Sequence, residues 1–206
     1  MTDFKTDQEA FWAGEFGSQY INRNPTDFEL AARLAMFARI INRTENVRSL
    51  IELGANIGNN LRVLHQLLSG AALAAVEINQ DAVDVLRQWG RVEVHPHSIL
   101  NFRPSRQYDL SLVSGVLIHM DPRVLPQVYD LLHQLAKRYI CVVEYYNPAP
   151  VEIPYRGHSG KLFKRDFAGE LLDRFRDLRL LDYGFVYHRD NNYPLDDLTW
   201  FLLEKR

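Results

Sequence analysis

From residue 47 onward the chain alternates short apolar runs with longer stretches of helical spacing, and that alternation restricts its fold more than any other feature. Residues 47–53, 72–77, 92–95, 108–114 and 139–145 read as strands. Residues 59–68, 79–89 and a stretch within 124–135 read as helices, the second with Asn79 placed to cap it. Strands separated by crossover helices pair in parallel, and each right-handed crossover must bury an apolar stripe, so helices cover both faces. The expected class is α/β with a doubly wound, mostly parallel sheet. The rhythm changes after a helix near 166–175. Two strand-like runs, 178–187 and 198–203, follow each other without a helix and should pair as an antiparallel hairpin, bringing the sheet to seven strands. Ahead of the alternation, Asn24 and Pro25 begin a helix in which Leu30, Leu34, Phe37 and Ile41 recur at helical spacing. The segment FWAGEFGSQY at 11–20 is glycine-rich for a helix, yet Trp12, Phe16 and Tyr20 recur at i, i+4 and i+8 and could present one aromatic face, as a lid or as an amphipathic helix packed on the core.

With 206 residues, no internal repeat and no linker, the chain reads as one domain. It carries 24 basic and 26 acidic residues, a net charge of −2, which supplies no field for polyanions, so nucleic acid is not an expected partner. No apolar run approaches the ~20 residues that span a bilayer, and no membrane partner is expected. Cys141 is the lone cysteine and the N-terminus lacks the charged-then-apolar layout of a secretion signal, so a reducing cytoplasm is the expected location. The oligomeric state is not legible.

The sharpest local signal is LIELGANIGNN at 50–60, a strand that passes through a glycine turn into a helix. It lies at the carboxyl edge of the expected sheet, where doubly wound folds bind ligands, and makes candidates of Glu52, Gly54, Ala55, Asn56 and Gly58. A dinucleotide fingerprint begun at Gly54 needs further glycines where this chain has Asn56 and Asn59, so a pyrophosphate has a poorer seat. An adenosyl sulfonium ligand, with an ammonium and a carboxylate but no phosphate, is better matched by Glu52, the turn amides and an asparagine. Glu77 follows Gly54 by 23 residues, near the spacing at which an acid takes ribose hydroxyls. Ile78 would cover one adenine face, Ser98 would meet the adenine amino group, and Ile99 would pack on the ring.

Ser114, Gly115 and Val116 leave room for a ligand at the end of the fourth strand, and His119 beyond them reads as a base or as a structural histidine. Tyr20 and Arg23 of the lid could face the ligand, Arg23 pairing with a carboxylate. Glu144, Tyr145, Tyr146 and Asn147 leave the fifth strand at the same edge. Tyr145, Tyr146 and Tyr155 offer flat, hydrogen-bonding surfaces for a sugar ring. Arg156, Lys161, Lys164 and Arg165 are four positive charges with no acid between 155 and 165, which suits an anionic acceptor, and Arg156 can grip a phosphate or carboxylate in bidentate fashion. His158 and Tyr146 join His119 as candidate catalytic groups. His95 and His97 lack partners to complete a metal shell, and no metal is expected.

Taken together, ELGANIGNN, AAVEIN and VSGVLIHMDP over roughly 45–145 resemble the class I S-adenosylmethionine-dependent methyltransferases. FWAGEFGSQYINRN, VVEYYNPAPVEIPYRGHSGKLFKRDFAGELLDR, LDYGFVYHRDNNYPLDD and TWFLLEK are similar to the pseudaminic acid biosynthesis-associated methylases, a likeness that extends over essentially the whole chain. The resemblance implies a single Rossmann-like domain, 1–206. Within it, 1–45 would supply a lid and helix, 46–145 the cofactor-binding core, and 146–206 the substrate loop and hairpin. It implies S-adenosylmethionine as cofactor, with Glu52, Gly54, Asn56 and Gly58 at the methionyl end and Glu77 at the ribose. Ile78, Ser98 and Ile99 would meet the adenine, and Gly115 and Val116 the sulfonium side. The implied activity is methyl transfer to a small, anionic, sugar-type acceptor, a nonulosonic acid or nucleotide sugar of surface-glycan biosynthesis. Other readings stay open: another small molecule or a polypeptide as acceptor, a non-catalytic adenosyl-ligand module, or a dinucleotide oxidoreductase. Oxygen and nitrogen acceptors are not separated by the sequence.

Overall fold

The computed structural model describes residues 4–21 and 27–206. Three helices, α1 (Asp7–Ala13), α2 (Glu15–Ile21) and α3 (Asp27–Ile41), precede the alternating region. There follow β1 (Ser49–Leu53), α4 (Asn59–Leu67), β2 (Ala72–Val76), α5 (Gln80–Trp89), β3 (Glu93–His95), β4 (Tyr108–Ser114), α6 (Leu125–Leu135) and β5 (Ala136–Glu144). A small hairpin of β6 (Val151–Glu152) and β7 (Phe163–Lys164) leads to α7 (Phe167–Arg174), β8 (Leu178–Val186) and β9 (Leu198–Lys205). The main sheet has seven strands in the order β3-β2-β1-β4-β5-β9-β8. The first five are parallel, and β9 runs antiparallel to both β5 and β8.

Successive strand residues point to opposite faces, and the two cores follow that period. Leu50, Leu73, Ala75, Leu110 and Leu112 pack with Phe37 and Ile40 of α3, Leu61 and Leu64 of α4 and Leu86 of α5. Ile51, Leu53, Ala74, Val76, Val113, Ile140 and Val142 pack with Val128 and Leu132 of α6 and with Phe167 and Leu171 of α7. Asn79 accepts the amide of Ala82 at 3.2 Å and caps α5, and Asp166 accepts that of Gly169 at 2.8 Å and caps α7. Registers pair Leu53 with both Val76 and Val113, so the carboxyl ends of β2, β1 and β4 finish level and form one rim.

The glycine-rich segment at 11–20 is helical on both sides of Gly14, as the spacing of its aromatic residues allowed and its glycines argued against. Thr6 and Glu9 form a reciprocal capping box that starts α1, and the break falls at Gly14. Gly17 permits the two short helices to touch: a Cβ there would lie 1.9 Å from the carbonyl oxygen of Trp12. The expected cap at Asn24 and Pro25 lies outside the described residues.

Candidate ligand site

A cavity of about 420 Å³ opens at the carboxyl rim, between the strand ends and the α1–α2 pair. Its floor is the turn after β1. Gly54 (φ 71°) donates to the carbonyl of Val76 at 2.8 Å, and a Cβ on it would come within 2.6 Å of Val116. Asn56 also has positive φ, 50°, a conformation asparagine tolerates better than most residues. Its amide donates to Glu77 Oε2 at 2.7 Å, while those of Ile78 and Asn79 donate to Oε1, each at 2.8 Å. Glu77 therefore ties the β1 turn to the tip of β2 and still lines the cavity. Burial pushes its carboxyl above the usual range against those three hydrogen bonds.

Beneath Gly54 lies a chain of polar side chains. Arg33 Nη1 donates to Asn60 Oδ1 at 2.8 Å, and Asn60 Nδ2 donates to Glu52 Oε1 at 2.7 Å. Glu52 Oε2 and Arg33 Nε are both buried without a partner. Burial raises the Glu52 carboxyl to about 8, with Asn60 and Arg33 opposing. Glu52, Asn60 and Arg33 all line the cavity. Arg33 and Asn60 were not singled out, although spacing carried a signal: Arg33 shares a helix face with Leu30 and Phe37, and Asn60 one with Leu64 and Leu67, each a polar residue on an apolar stripe.

At the opposite end of the rim, Ile78, Ser98 and Ile99 line the cavity. The Ser98 hydroxyl donates to the carboxylate of Glu9 and its oxygen accepts the Leu100 amide at 3.0 Å, which leaves one lone pair for a donor such as an adenine amino group. Glu9, buried on α1 and lining the cavity, was not foreseen. The i+3 spacing of Thr6 and Glu9 was the available signal.

Ser114, Gly115, Val116, His119, Tyr20, Tyr145, Tyr155 and Arg156 line the remainder, with Trp12 and Asp196. His119 Nδ1 sits 2.6 Å from the carbonyl oxygen of Lys161, and its ring lies 4.8 Å from those of Trp12 and Tyr155. Burial lowers its pKa to about 4. Tyr155 and His158 exchange backbone hydrogen bonds of 2.8 and 2.9 Å across a tight turn, in which Arg156 (φ 51°) and Gly157 (φ 83°) both have positive φ. Arginine in that conformation is strained, and it is held on the cavity wall with its guanidinium 5.5 Å from the Tyr155 ring centre.

Other candidates lie elsewhere. Gly58 faces Leu86 on the far side of the turn. Glu144 is buried with Oε1 accepting the amides of Val116 and Leu117, each at 2.9 Å, so it shapes the turn after β4 and does not face an acceptor; burial raises its carboxyl to about 7. Tyr146 is 42% exposed and packs on Phe201, and Asn147 donates to Ala149 O. His158 packs on Phe11 and Phe16, outside the cavity. Nor do the four basic residues form one patch. Lys161 Nζ reaches Asp7 O, Lys164 lies over Tyr145, and Arg165 pairs with Glu170 at 2.7 Å; of the four, only Arg156 lines the cavity. Arg23 lies outside the described residues. Among the described residues, no group of three or more His, Cys, Asp or Glu side chains is placed to hold a metal, and no helix is long and apolar enough to cross a membrane.

The chain matches no family model, and no curated protein matches it by sequence. Among solved structures it is similar over its whole length to the 1,6-didemethyltoxoflavin-N1-methyltransferase of Burkholderia thailandensis, bound to its substrate and S-adenosylhomocysteine. The TM-score is 0.73 at 16% identity, with 92% of that chain covered. The magnesium protoporphyrin IX methyltransferase of Synechocystis PCC 6803, with S-adenosylmethionine bound, gives 0.68 at 13% identity and 100% coverage of both chains. A plantazolicin methyltransferase in complex with a pentazolic substrate analogue and S-adenosylhomocysteine gives 0.64 at 14%, over 92% of this chain and 89% of that one. The architecture is thus the Rossmann-like fold of class I methyltransferases, with its terminal antiparallel hairpin.

Proposed function

We propose that this protein is an S-adenosylmethionine-dependent methyltransferase, a single domain acting on a small, anionic, sugar-type acceptor. The observation that carries the first part is the pair of unpartnered buried atoms under the Gly54 turn, Glu52 Oε2 and Arg33 Nε. A buried carboxyl and a half-buried guanidinium, each with hydrogen-bonding capacity left over, complement a zwitterion carrying an ammonium and a carboxylate. When bound, S-adenosylmethionine would supply a methyl group activated on a sulfonium. Glu52 and Arg33 would hold its amino-acid end, Glu77 the ribose, and Ile78 and Ile99 the adenine. Tyr20, Gly115 and Val116 would border the reacting centre. The residues of this chain do the rest: the α1–α2 pair excludes water, and Tyr145, Tyr155 and Arg156 position the acceptor for in-line attack.

The acceptor class rests on Arg156, the cation of the basic run that lines the cavity, and on the tyrosines beside it, which suit a ring bearing hydroxyls and a carboxylate or phosphate. The likeness to the pseudaminic acid-associated methylases supports a nonulosonic acid or nucleotide sugar. The test is calorimetry with S-adenosylhomocysteine, followed by transfer of labelled methyl into a panel of nucleotide sugars, nonulosonic acids and peptides. Arg156→Ala should lower kcat/KM for the charged acceptor by about tenfold or more, more steeply at low salt, with cofactor affinity intact. Equal turnover of charged and uncharged acceptors in that variant would refute the anionic assignment.

A further inference from the structure

Two ring atoms at the acceptor end lack partners, and together they select a nucleophile. His119 Nδ1 lies 2.6 Å from the Lys161 carbonyl oxygen. A carbonyl only accepts, so Nδ1 carries the proton, and in the neutral ring Nε2 is left as a bare lone pair. Nε2 has no partner among the described residues. The charged groups on the surrounding elements are engaged elsewhere: Glu9 with Ser98, Glu144 with the amides of Val116 and Leu117, Lys161 Nζ with Asp7 O, and Arg156 over Tyr155. Burial keeps the ring neutral, with a pKa of about 4. Its centre lies 4.8 Å from that of the Trp12 indole, whose Nε1–H is buried without an acceptor. Adjoining rings on one wall thus offer an unfilled acceptor and an unfilled donor.

Resting on the methyltransferase reading, we infer that the nucleophile is a neutral hydroxyl that donates to His119 Nε2 and accepts from Trp12 Nε1–H, keeping its second lone pair for the methyl carbon. A neutral amine has one lone pair, and spending it on attack leaves Trp12 unanswered; an ammonium has none. A carboxylate has no proton for His119. In the step, the carbon–oxygen bond forms as the carbon–sulfur bond breaks, and the electron pair of the broken bond leaves on sulfur. The hydroxyl proton passes to His119 Nε2 and then to solvent. A weak base suffices, because the oxygen becomes strongly acidic as it gains the methyl group; the same ring cannot deprotonate an alkylammonium of pKa ~10.

The test uses the full chain loaded with S-adenosylhomocysteine. Long-range proton–nitrogen-15 correlation spectra should show His119 protonated at Nδ1 and bare at Nε2 down to about pH 5, and a proton on Nε2 or a cationic ring at neutral pH would overturn the inference. Radiolabelled methyl transfer into glucuronic acid, N-acetylneuraminic acid and glucosamine 6-phosphate then sorts the product. Label held in an ether that survives alkali supports the assignment, whereas label released from an ester or found on nitrogen overturns it. His119→Phe should lose about a hundredfold or more in kcat, with S-adenosylhomocysteine affinity within about twofold of the parent; a parent-like kcat also overturns it. Failure of the parent to bind S-adenosylhomocysteine would instead sink the underlying methyltransferase reading, so the two failures are distinguishable.

Discussion

Glu52 and His119 have pKa values displaced in opposite senses by the same burial, and the sign of each effect can be tested. Glu52, raised from 4.5 to about 8, holds its proton more tightly when folded. The stability it confers is complete below about pH 4.5 and is lost as pH rises through 8. His119, lowered from 6.5 to about 4, gives its contribution above 6.5 and loses it as pH falls through 4. Between about pH 6.5 and 8 His119 is silent, so the ligand-free protein should lose stability with a slope of up to about 1.4 kcal/mol per pH unit for each proton released. Glu144, raised to about 7, adds to the decline. Urea denaturation across this range should show a shallower decline in Glu52→Gln, and an unchanged slope in that variant would remove Glu52 from the account. Glu77 acts differently because three backbone amides converge on it. Glu77→Ala strands those donors and should cost about 1–3 kcal/mol of stability as well as weakening S-adenosylhomocysteine binding, read by denaturation and calorimetry on the same preparation. Loss of stability with parent affinity would reduce Glu77 to an organiser of the turn.

The α1–α2 pair is bound to the rest of the chain by ring contacts of Phe11, Trp12 and Phe16 with His119, Tyr155 and His158, and by a few polar contacts. Glu9 meets Ser98, Lys5 Nζ donates to Leu100 O at 2.9 Å, Gln8 to Gly160 O at 2.9 Å, and Asn79 Nδ2 to Trp12 O at 3.2 Å. Such contacts contribute only about 0.5–1.5 kcal/mol each, so this element should open before the sheet does. Gly17→Ala should separate the two helices through the clash with Trp12 O, raising amide exchange over 7–21 and weakening S-adenosylhomocysteine binding while β1, β2 and β4 keep their protection. Parent-like exchange in α1 and α2 would contradict that dependence. The pair also marks where the sequence stopped being legible. The strands, crossover helices and terminal hairpin announce themselves through apolar period and caps such as Asn79 and Asp166, because each must bury one stripe. The helices at 7–21 carry two glycines whose purpose is a contact with another turn of chain, and composition alone counts them as breakers. The same holds for the site. Glu52, Gly54 and Glu77 sit at strand ends, where topology predicts a rim, and their positions were readable. Arg33, Asn60 and Glu9 reach the cavity from helices and show in the sequence only as polar residues on apolar faces or in a capping box, while Tyr146, His158 and Lys164 pack on Phe201, on Phe11 and Phe16, and on Tyr145, contacts between distant segments with no one-dimensional signature.

At the scale of the molecule, the cavity draws its walls from every part of the chain. Trp12 and Tyr20 come from the N-terminal pair, Arg33 from α3, Glu52, Glu77 and Gly115 from the ends of β1, β2 and β4, Arg156 from the loop between β6 and β7, and Asp196 from the segment between β8 and β9. A ligand that contacts all of them stabilises their simultaneous placement, so its effect should be cooperative. S-adenosylhomocysteine at a hundred times its dissociation constant should add about 2.7 kcal/mol, which for a chain of this length raises Tm by roughly 5–11 °C. Because Glu52 must ionise to meet the ligand ammonium, binding should release a proton below about pH 8 and tighten as pH rises from 6 towards 8. Calorimetry in two buffers of different ionisation enthalpy measures that proton directly. Exchange protection should rise together in 7–21, in the turns after β1 and β2, and around 155–157, in a single unfolding transition. Protection confined to the β1 and β2 turns would mean that the ligand occupies the rim without engaging α1, α2 or the Arg156 loop, and the enclosing role given to those elements would then be withdrawn.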